Sequence, residues 1–127
     1  MDIADIATSD YKAVDADERL GKVRSMFERD RPTGLIVTVD GNYEGVITQR
    51  QLVQSHIEDS AKVRGLIQSA PRVELTDSVR EVARILVESG TKIAPVFQDG
   101  ELTRVVSGDD ILEAVLENLD ALDVSEI

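Results

Sequence analysis

The stretch from Val105 to Val115, VVSGDDILEAV, places a hydroxyl and two carboxylates at the start of a predicted helix. Ser107 and Asp110 have the spacing of a capping box, in which each side chain accepts a hydrogen bond from the other residue's backbone N–H. Asp109 and Asp110 are also favoured there by the helix dipole. A carboxylate at this point has a second use, because it can accept two hydrogen bonds from a vicinal diol while the nearby N–H groups favour an anion. The residues alone leave both interpretations of Asp110 open.

A second segment, TQRQ from Thr48 to Gln51, has the same spacing and fits a capping box completely. Gln51 brings an amide, which bonds only one hydroxyl well and carries no charge. The sequence therefore predicts at most a weaker second site at Thr48 and Gln51.

The sequence offers few residues for catalysis or for metal binding. The absence of cysteine excludes disulfides, thiolate metal sites and a cysteine nucleophile. His56 is the only histidine and lies in the polar stretch QSHIEDSA, where we expect it to be solvated rather than part of a catalytic triad. Isolated glycines give neither a phosphate loop nor a dinucleotide fingerprint. We expect no catalysis and no resident metal.

An internal repeat organises the elements that position these residues. Asp40-Gly41 and Asp99-Gly100 lie 59 residues apart (99 − 40), and the same offset aligns Val46 with Val105 and Thr48 with Ser107. We assign residues 1–60 to a first repeat and 61–122 to a second, with 123–127 as a linker or the start of a further repeat.

Each repeat predicts the element order β-α-β-β-α. A short extended piece precedes a helix with apolar residues at three-to-four spacing. Two strands joined by Asp-Gly, the strongest short hairpin signal, come next, and a second helix closes the repeat. We expect the apolar face of that helix to consist of Leu52, Val53 and Ile57 in the first repeat. In the second repeat the corresponding apolar residues are Ile111, Leu112, Val115, Leu116 and Leu119.

The duplicated β-α-β-β-α unit, with Pro95-Val96 in a strand, an Asp-Gly hairpin and a strand-to-helix ending of the G-h-h-[ST]-x-x-[DN] type, resembles the cystathionine-β-synthase (CBS) domain. The pair resembles a Bateman module. The resemblance implies a mixed fold of α/β (α+β) class, in which two repeats pack about a pseudo-twofold axis.

The resemblance also implies an adenosine site built from both repeats. Asp110 would hold the ribose hydroxyls and Ser107 would accompany it, with Asp109 beside them. By position in the family, the other members of the site are Thr8 and Ala13 at the adenine, Pro32 and Thr33 at the cleft edge, Val105 packed on the base and Lys92 at the phosphate.

Lys92 also fits a solvated lysine at a strand start. Arg104 replaces the glycine of the motif, which Gly45 keeps, and would either contact phosphate or crowd the cleft.

The function implied is a non-catalytic regulatory module. It would sense an adenosine-containing ligand (AMP, ADP, ATP or S-adenosylmethionine) and transmit a conformational or oligomeric change to an effector domain in a longer chain. Modules of this family commonly form a homodimer through their helices, for which Leu116 and Leu119 are candidates, although such stripes more often belong to a core. The alternative is a ligand-free dimerisation module.

The charge of the chain excludes several partners. Its 25 acidic and 14 basic residues give a net charge of −11, which disfavours binding to nucleic acid and to anionic membrane. The same acidity suggests, as a hypothesis, the salt-rich cytosol of a halophilic archaeon. No apolar run approaches the roughly 18 residues of a membrane span, so we expect a cytoplasmic protein.

The last residues repeat an earlier pattern. Val124-x-x-Ile127 matches Ile3-x-x-Ile6 and Val63-x-x-Leu66. Our hypothesis is that the chain is a fragment of a longer protein with further repeats, or that it precedes an effector domain.

Overall fold

The computed structural model of the chain describes residues 2–54 and 56–121, and of residues 119–121 only the helical backbone. The chain divides into two compact units. We call Asp10–Ala70 the first-repeat unit, and Met1–Ser9 with Pro71–Ile127 the second-repeat unit. Residues 123–127, and the pattern at Val124 and Ile127, lie outside the described residues.

Within the described residues, twelve short elements follow one another in chain order. They are α1 (Ile3–Ile6), β1 (Ala13–Asp15), α2 (Leu20–Asp30), β2 (Gly34–Val39), β3 (Asn42–Thr48), α3 (Gln49–Gln54), a 3₁₀ helix (Val63–Leu66), β4 (Val73–Glu74), α4 (Val79–Ser89), β5 (Ile93–Gln98), β6 (Glu101–Ser107) and α5 (Gly108–Ala121). The predicted order β-α-β-β-α is therefore confirmed in both repeats.

Each unit contains one three-stranded sheet. In the first-repeat unit β1 runs parallel to β2, which pairs antiparallel with β3, and in the second-repeat unit β4, β5 and β6 repeat that pattern. The mixed α+β fold class with two repeated sheets is confirmed, while packing about a pseudo-twofold axis stays a prediction.

The two hairpins owe their geometry to the Asp-Gly pairs. Asp40 and Gly41 have φ values of 51° and 82°, and Asp99 and Gly100 have 52° and 81°. Two consecutive positive φ angles define a type I′ turn, whose twist matches that of the flanking strands. Each turn therefore fixes the register in which its strands present their last residues to the following helix.

Helices α2 and α4 are each followed by a residue in the left-handed conformation. Helix α2 ends at Asp30, and Arg31 follows in the left-handed conformation with φ 46°. Helix α4 ends at Ser89, and Gly90 takes the same role with φ 71°. Glycine adopts this conformation without strain, whereas arginine does not.

Each unit has its own apolar core, formed between the sheet and the helices. In the first-repeat unit the core includes Leu20, Val23 and Phe27 of α2. Val82 and Leu86 of α4 occupy the equivalent places in the second-repeat unit.

The ends of the repeats are exchanged between the units. Ile3 of α1 is fully buried in the core of the second-repeat unit, although it begins the first repeat in the sequence. Val63 of the 3₁₀ helix is buried in the core of the first-repeat unit. The compact units thus differ from the boundaries 1–60 and 61–122, which mark the duplication in the sequence.

The apolar faces expected for the closing helices are partly wrong. In α3 only Leu52 is buried, since Val53 is 75% exposed and Ile57 lies beyond the helix. In α5 Ile111 is buried, whereas three other residues of the predicted face are exposed: Leu112, Val115 and Leu116. The side chain of Leu119 lies outside the described part of the chain. Helical spacing identified the stripe, but spacing alone does not tell which part of it is covered.

Candidate functional site

The first turn of α5 is closed by the two residues of the predicted motif. The Ser107 N–H donates to Oδ2 of Asp110 over 3.1 Å, and the Asp110 N–H donates to Oγ of Ser107 over 3.0 Å. The capping box is therefore complete, and it uses one oxygen of the carboxylate. Among the described residues no N–H or O–H donates to Oδ1 of Asp110. Asp110 is half-buried, Ser107 is buried and Asp109 is exposed.

Lys92 lies next to the same helix terminus. The Gly108 N–H donates to the Lys92 carbonyl oxygen over 3.1 Å, and the following residue, Ile93, pairs with Ser107 across the sheet. The Lys92 side chain is exposed. A cationic side chain and the carboxylate of Asp110 thus belong to adjoining segments, which is the combination that a phosphorylated diol requires.

Thr8 and Val105 form a two-residue antiparallel bridge. The N–H of each donates to the carbonyl of the other over 2.9 Å. Val105 is 8% exposed and lies two residues before Ser107. Six predicted site residues therefore belong to the second-repeat unit: Thr8, Lys92, Val105, Ser107, Asp109 and Asp110.

In the equivalent motif of the first repeat, the Gln51 side chain forms its hydrogen bonds to other groups of the protein. Oε1 of Gln51 accepts the Thr48 N–H over 2.9 Å, and Nε2 of Gln51 donates to the Leu66 carbonyl over 2.6 Å. Thr48 is buried. Both ends of the amide are engaged, so Gln51 fastens the 3₁₀ helix to the start of α3.

Gly45 and Arg104 are equivalent residues with different surroundings. A Cβ added to Gly45 would lie 2.5 Å from Cγ2 of Ile67 and 2.6 Å from the carbonyl oxygen of Gln68, so only glycine fits there. Arg104 is half-buried, and its guanidinium donates to the Ala4 carbonyl over 3.2 Å. The arginine therefore binds the N-terminal segment of its own unit.

The other predicted site residues belong to the first-repeat unit. Ala13 and Thr33 are exposed and Pro32 is half-buried. An ion pair of 3.0 Å between Lys12 Nζ and Asp30 Oδ2 connects the segments that carry them. Hydrogen bonds from the Arg29 side chain, with Lys12 adding, hold the pKa of Asp30 below its usual value. Membership of these three residues in the site that contains Asp110 stays a prediction.

The described residues contain neither a cluster of metal ligands nor a membrane-spanning helix. Residues 2–54 and 56–121 contain no group of three or more His, Asp or Glu side chains that would hold a metal ion. Within the same ranges no helix is long and apolar enough to cross a membrane. His56 is exposed, as predicted.

Comparison with known proteins identifies the family. The CBS-domain family matches residues 3–58 and 63–117, which is most of the chain. The protein therefore belongs to the CBS-domain family and carries two copies of the domain in tandem. No curated protein matches the chain significantly in sequence.

Solved structures share the fold at low sequence identity. A conserved CBS-domain protein of Thermoplasma acidophilum has a TM-score of 0.77 at 20% identity, over 94% of this chain and 76% of that one. The CBS domain of a bacterial CNNM/CorC family Mg²⁺ transporter, in complex with ATP, has a TM-score of 0.81 at 15% identity, over 91% and 87%. The cytosolic domain of the Mg²⁺ channel MgtE, also in complex with ATP, has 0.69 at 23%, over 85% and 46%.

Two residues that complete the motifs were not predicted as site residues. Leu66 accepts from Gln51, and Ala4 accepts from Arg104. Their common signal is the pair of patterns Ile3-x-x-Ile6 and Val63-x-x-Leu66, because both carbonyls belong to these short helical turns.

Proposed function

We propose that this chain is a non-catalytic regulatory module that binds an adenosine-containing ligand through Asp110. The ligand class is that of AMP, ADP, ATP or S-adenosylmethionine. One observation carries the proposal: Asp110 has a carboxylate oxygen to spare beyond its capping bond, whereas the equivalent Gln51 uses both ends of its amide within the protein.

The groups at the N-terminus of α5, where Asp110 lies, match a ribose with an attached phosphate. Oδ1 of Asp110 accepts from a ribose hydroxyl, while the first N–H groups of α5 favour an anion. Lys92 is exposed beside this terminus and supplies a positive charge for a phosphate. Thr8 is bridged to Val105, two residues before Ser107, and Val105 is the proposed contact for the base.

The differences between the repeats support one site in each chain. A ligand at Thr48 and Gln51 would have to displace the 2.6 Å bond from Gln51 to Leu66. Ala13, Pro32 and Thr33 remain proposed members of the Asp110 site.

The ATP complexes of the CNNM/CorC and MgtE domains support the ligand class, since those proteins share the fold of this chain. As a regulatory module, the chain would form a homodimer and bias an effector domain of a longer protein. Ligand binding achieves this only if the ligand has different affinities for two states of the module.

The second candidate is a ligand-free dimerisation module. The complete capping box at Ser107 and Asp110 favours it, because the box accounts for both side chains without a ligand.

Thermal unfolding distinguishes the two candidates. The protein is heated in concentrated KCl with AMP, ATP or S-adenosylmethionine, alongside the variants Asp110→Asn and Gln51→Ala. Asparagine keeps an oxygen for the Ser107 N–H but removes the charge, so the cap survives. A ligand at about 100 times its Kd adds about 2.7 kcal/mol to the free energy of unfolding.

We expect one ligand to raise the midpoint of the parent and of Gln51→Ala, and to leave Asp110→Asn unchanged. An equal rise in the parent and in both variants would remove Asp110 from the site. No rise with any ligand would favour the dimerisation module.

A further inference from the structure

A groove opens beside helices α2 and α3 of the first-repeat unit. Its volume is about 640 Å³, which is within the range of small-molecule sites. Phe27 and Leu52 are buried and supply an apolar floor, and Val53 beside them is exposed. Four polar side chains complete the lining: Arg24, Glu28, Arg31 and Gln49. An apolar floor with a few polar groups is the usual composition of a ligand site.

The second repeat keeps the apolar residues of this groove and none of the polar ones. At the offset of 59 residues, the three apolar residues correspond to apolar ones: Leu86, Ile111 and Leu112. The four polar residues correspond to small or apolar ones: Ala83, Val87, Gly90 and Gly108. The fold of a repeat therefore needs no polar side chain at these positions, and those of the first repeat require another explanation.

Contacts within the unit explain Arg24. Its guanidinium donates to the Leu52 and Ile57 carbonyls over 3.0 and 3.2 Å. Its Nε lies 3.0 Å from Oδ1 of Asp59. Arg24 thus fastens the end of α3 and the segment after it to α2, and its charge is paired.

No such contacts explain Glu28 and Arg31. Both side chains are exposed, and in the part of the chain that the structure describes neither forms an ion pair or a side-chain hydrogen bond. Gln49 adds an amide, which both donates and accepts. The groove therefore offers one negative and one positive charge above an apolar floor.

The backbone of Arg31 is an independent observation. Its φ of 46° lies in the left-handed region, where the second repeat has Gly90. Residues other than glycine are strained in this conformation, and such strain is concentrated at functional sites, including ligand clamps. The first repeat thus has an arginine where glycine would be the more stable choice, which indicates a use for its side chain.

The net charge of the first-repeat unit permits an anionic group in this groove. Residues 10–70 contain 10 acidic and 9 basic residues, a net charge of −1. Residues 1–9 and 71–127 contain 15 and 5, a net charge of −10. The first-repeat unit therefore repels a carboxylate far less than the second-repeat unit does.

We propose that this groove binds an apolar α-amino acid as its zwitterion. The Arg31 guanidinium binds the carboxylate and the Glu28 carboxylate binds the ammonium group, while Phe27, Leu52 and Val53 receive the side chain. Glu28 and Arg31 are three residues apart across the end of α2, a spacing at which side chains are neighbours and can engage the adjacent charges of one α-amino acid. The site has no residue in common with the proposed adenosine site and does not depend on it.

A chemical-shift titration of the ¹⁵N-labelled chain tests the site and locates it. L-leucine is compared with 4-methylpentanoate, which lacks the ammonium group, with 3-methylbutylamine, which lacks the carboxylate, and with glycine, which lacks the side chain. We expect saturable shifts at amides of α2 and α3 with L-leucine. Each of the three analogues should bind about tenfold more weakly or worse, in line with the loss of a charge-assisted hydrogen bond or of apolar burial.

Arg31→Gly separates ligand binding from folding, because the second repeat has glycine at this position. We expect Arg31→Gly to unfold at a temperature no lower than the parent and yet to bind L-leucine about tenfold more weakly. Glu28→Gln should weaken binding to a similar extent. Arg50→Gln is the matched control, since it removes an exposed cation of α3 that does not line the groove and should leave the affinity unchanged.

The contrary outcomes are distinct. Absence of saturable shifts up to about 10 mM L-leucine, ten times a millimolar Kd, would overturn the proposal. Equal binding of 4-methylpentanoate would remove Glu28 from the site and contradict a zwitterion. Undiminished binding by Arg31→Gly, or shifts confined to β5, β6 and α5, would place the amino acid elsewhere. Nucleotide binding is decided separately, by thermal unfolding of Asp110→Asn.

Discussion

Asp110 and Gln51 occupy the same position of the two repeats, yet they differ in what their side chains leave unused. Both accept the N–H of the strand-end residue, which closes the first helical turn. The glutamine also has a donor group and uses it on Leu66, whereas the aspartate has no donor and keeps an oxygen. One change of side chain therefore separates a structural cap from a candidate binding residue.

Gly45 provides the first residue-scale prediction. Gly45→Ala should lower the free energy of unfolding by about 1–3 kcal/mol, because the new methyl group meets both Ile67 and the Gln68 carbonyl below 3 Å. Gly65→Ala is the matched control, since nothing lies within 4 Å of its Cβ position. Urea denaturation of both variants measures the difference. Equal midpoints would mean that the segment at Gln68 moves away from β3 without loss.

At the scale of elements, α1 begins the first repeat in the sequence but contributes Ile3 to the core of the second-repeat unit. Ile3→Ala should destabilise the second-repeat unit by about 2–5 kcal/mol, as expected for a fully buried isoleucine. Hydrogen exchange should become faster in β5 and β6. Val87→Ala, at a residue 82% exposed, serves as the control. Faster exchange confined to β2 and β3 would assign Ile3 to the other core.

Within the first-repeat unit, the Asp17 carboxylate binds the 3₁₀ helix. Its contribution to the free energy of unfolding depends on pH. Oδ1 of Asp17 lies 2.9 Å from Arg64 and 3.6 Å from Lys62. The Arg64 hydrogen bond, with Lys62 adding, holds the pKa of Asp17 below its ordinary value of 3.8. Its contribution to stability is therefore complete above about pH 3.8 and disappears as the pH falls through the lowered folded-state pKa.

Asp17→Asn should accordingly be less stable than the parent at neutral pH and equally stable in strong acid. Denaturation at several pH values measures the difference, and Asp40→Asn in the exposed hairpin turn removes the same charge as a control. A difference that persists unchanged in acid would show that ionisation of Asp17 is not its cause.

The order of the strands and of the four longer helices was predictable because their signals are local. Apolar spacing gave α2 and α4, and the Asp-Gly pairs gave both hairpins. The core into which α1 packs was not predictable. Ile3-x-x-Ile6 and Val63-x-x-Leu66 are so alike that either pattern would fit either core, and only the tertiary fold selects between them.

Among the site residues, the sequence identified the Ser107–Asp110 capping box but not the partners of Gln51 and Arg104. Those partners are backbone carbonyls, so the patterns Ile3-x-x-Ile6 and Val63-x-x-Leu66 mark the turns that carry them but do not tell which side chain donates to them. The exposure of Leu112 and Leu116 was also undetermined, because helical spacing is the same for a core stripe and a contact surface.

At the scale of the whole molecule, the charge difference between the units predicts an unequal response to salt. Raising KCl from about 0.1 M to about 1 M shortens the screening length from roughly 10 Å to roughly 3 Å. The second-repeat unit, with a net charge of −10, should gain more stability than the first-repeat unit, with −1. Hydrogen exchange resolved by unit measures both responses in one sample. Equal gains would mean that net charge does not govern the stability of either unit.

Isothermal titration calorimetry with ATP, on the parent and on Asp110→Asn, tests the central claim most directly. We predict one bound ATP per chain for the parent and loss of binding in the variant, because of the two equivalent capping motifs only that of Asp110 keeps an oxygen without a donor among the described residues. Two bound nucleotides per chain, or undiminished binding by Asp110→Asn, would contradict an adenosine site anchored at Asp110.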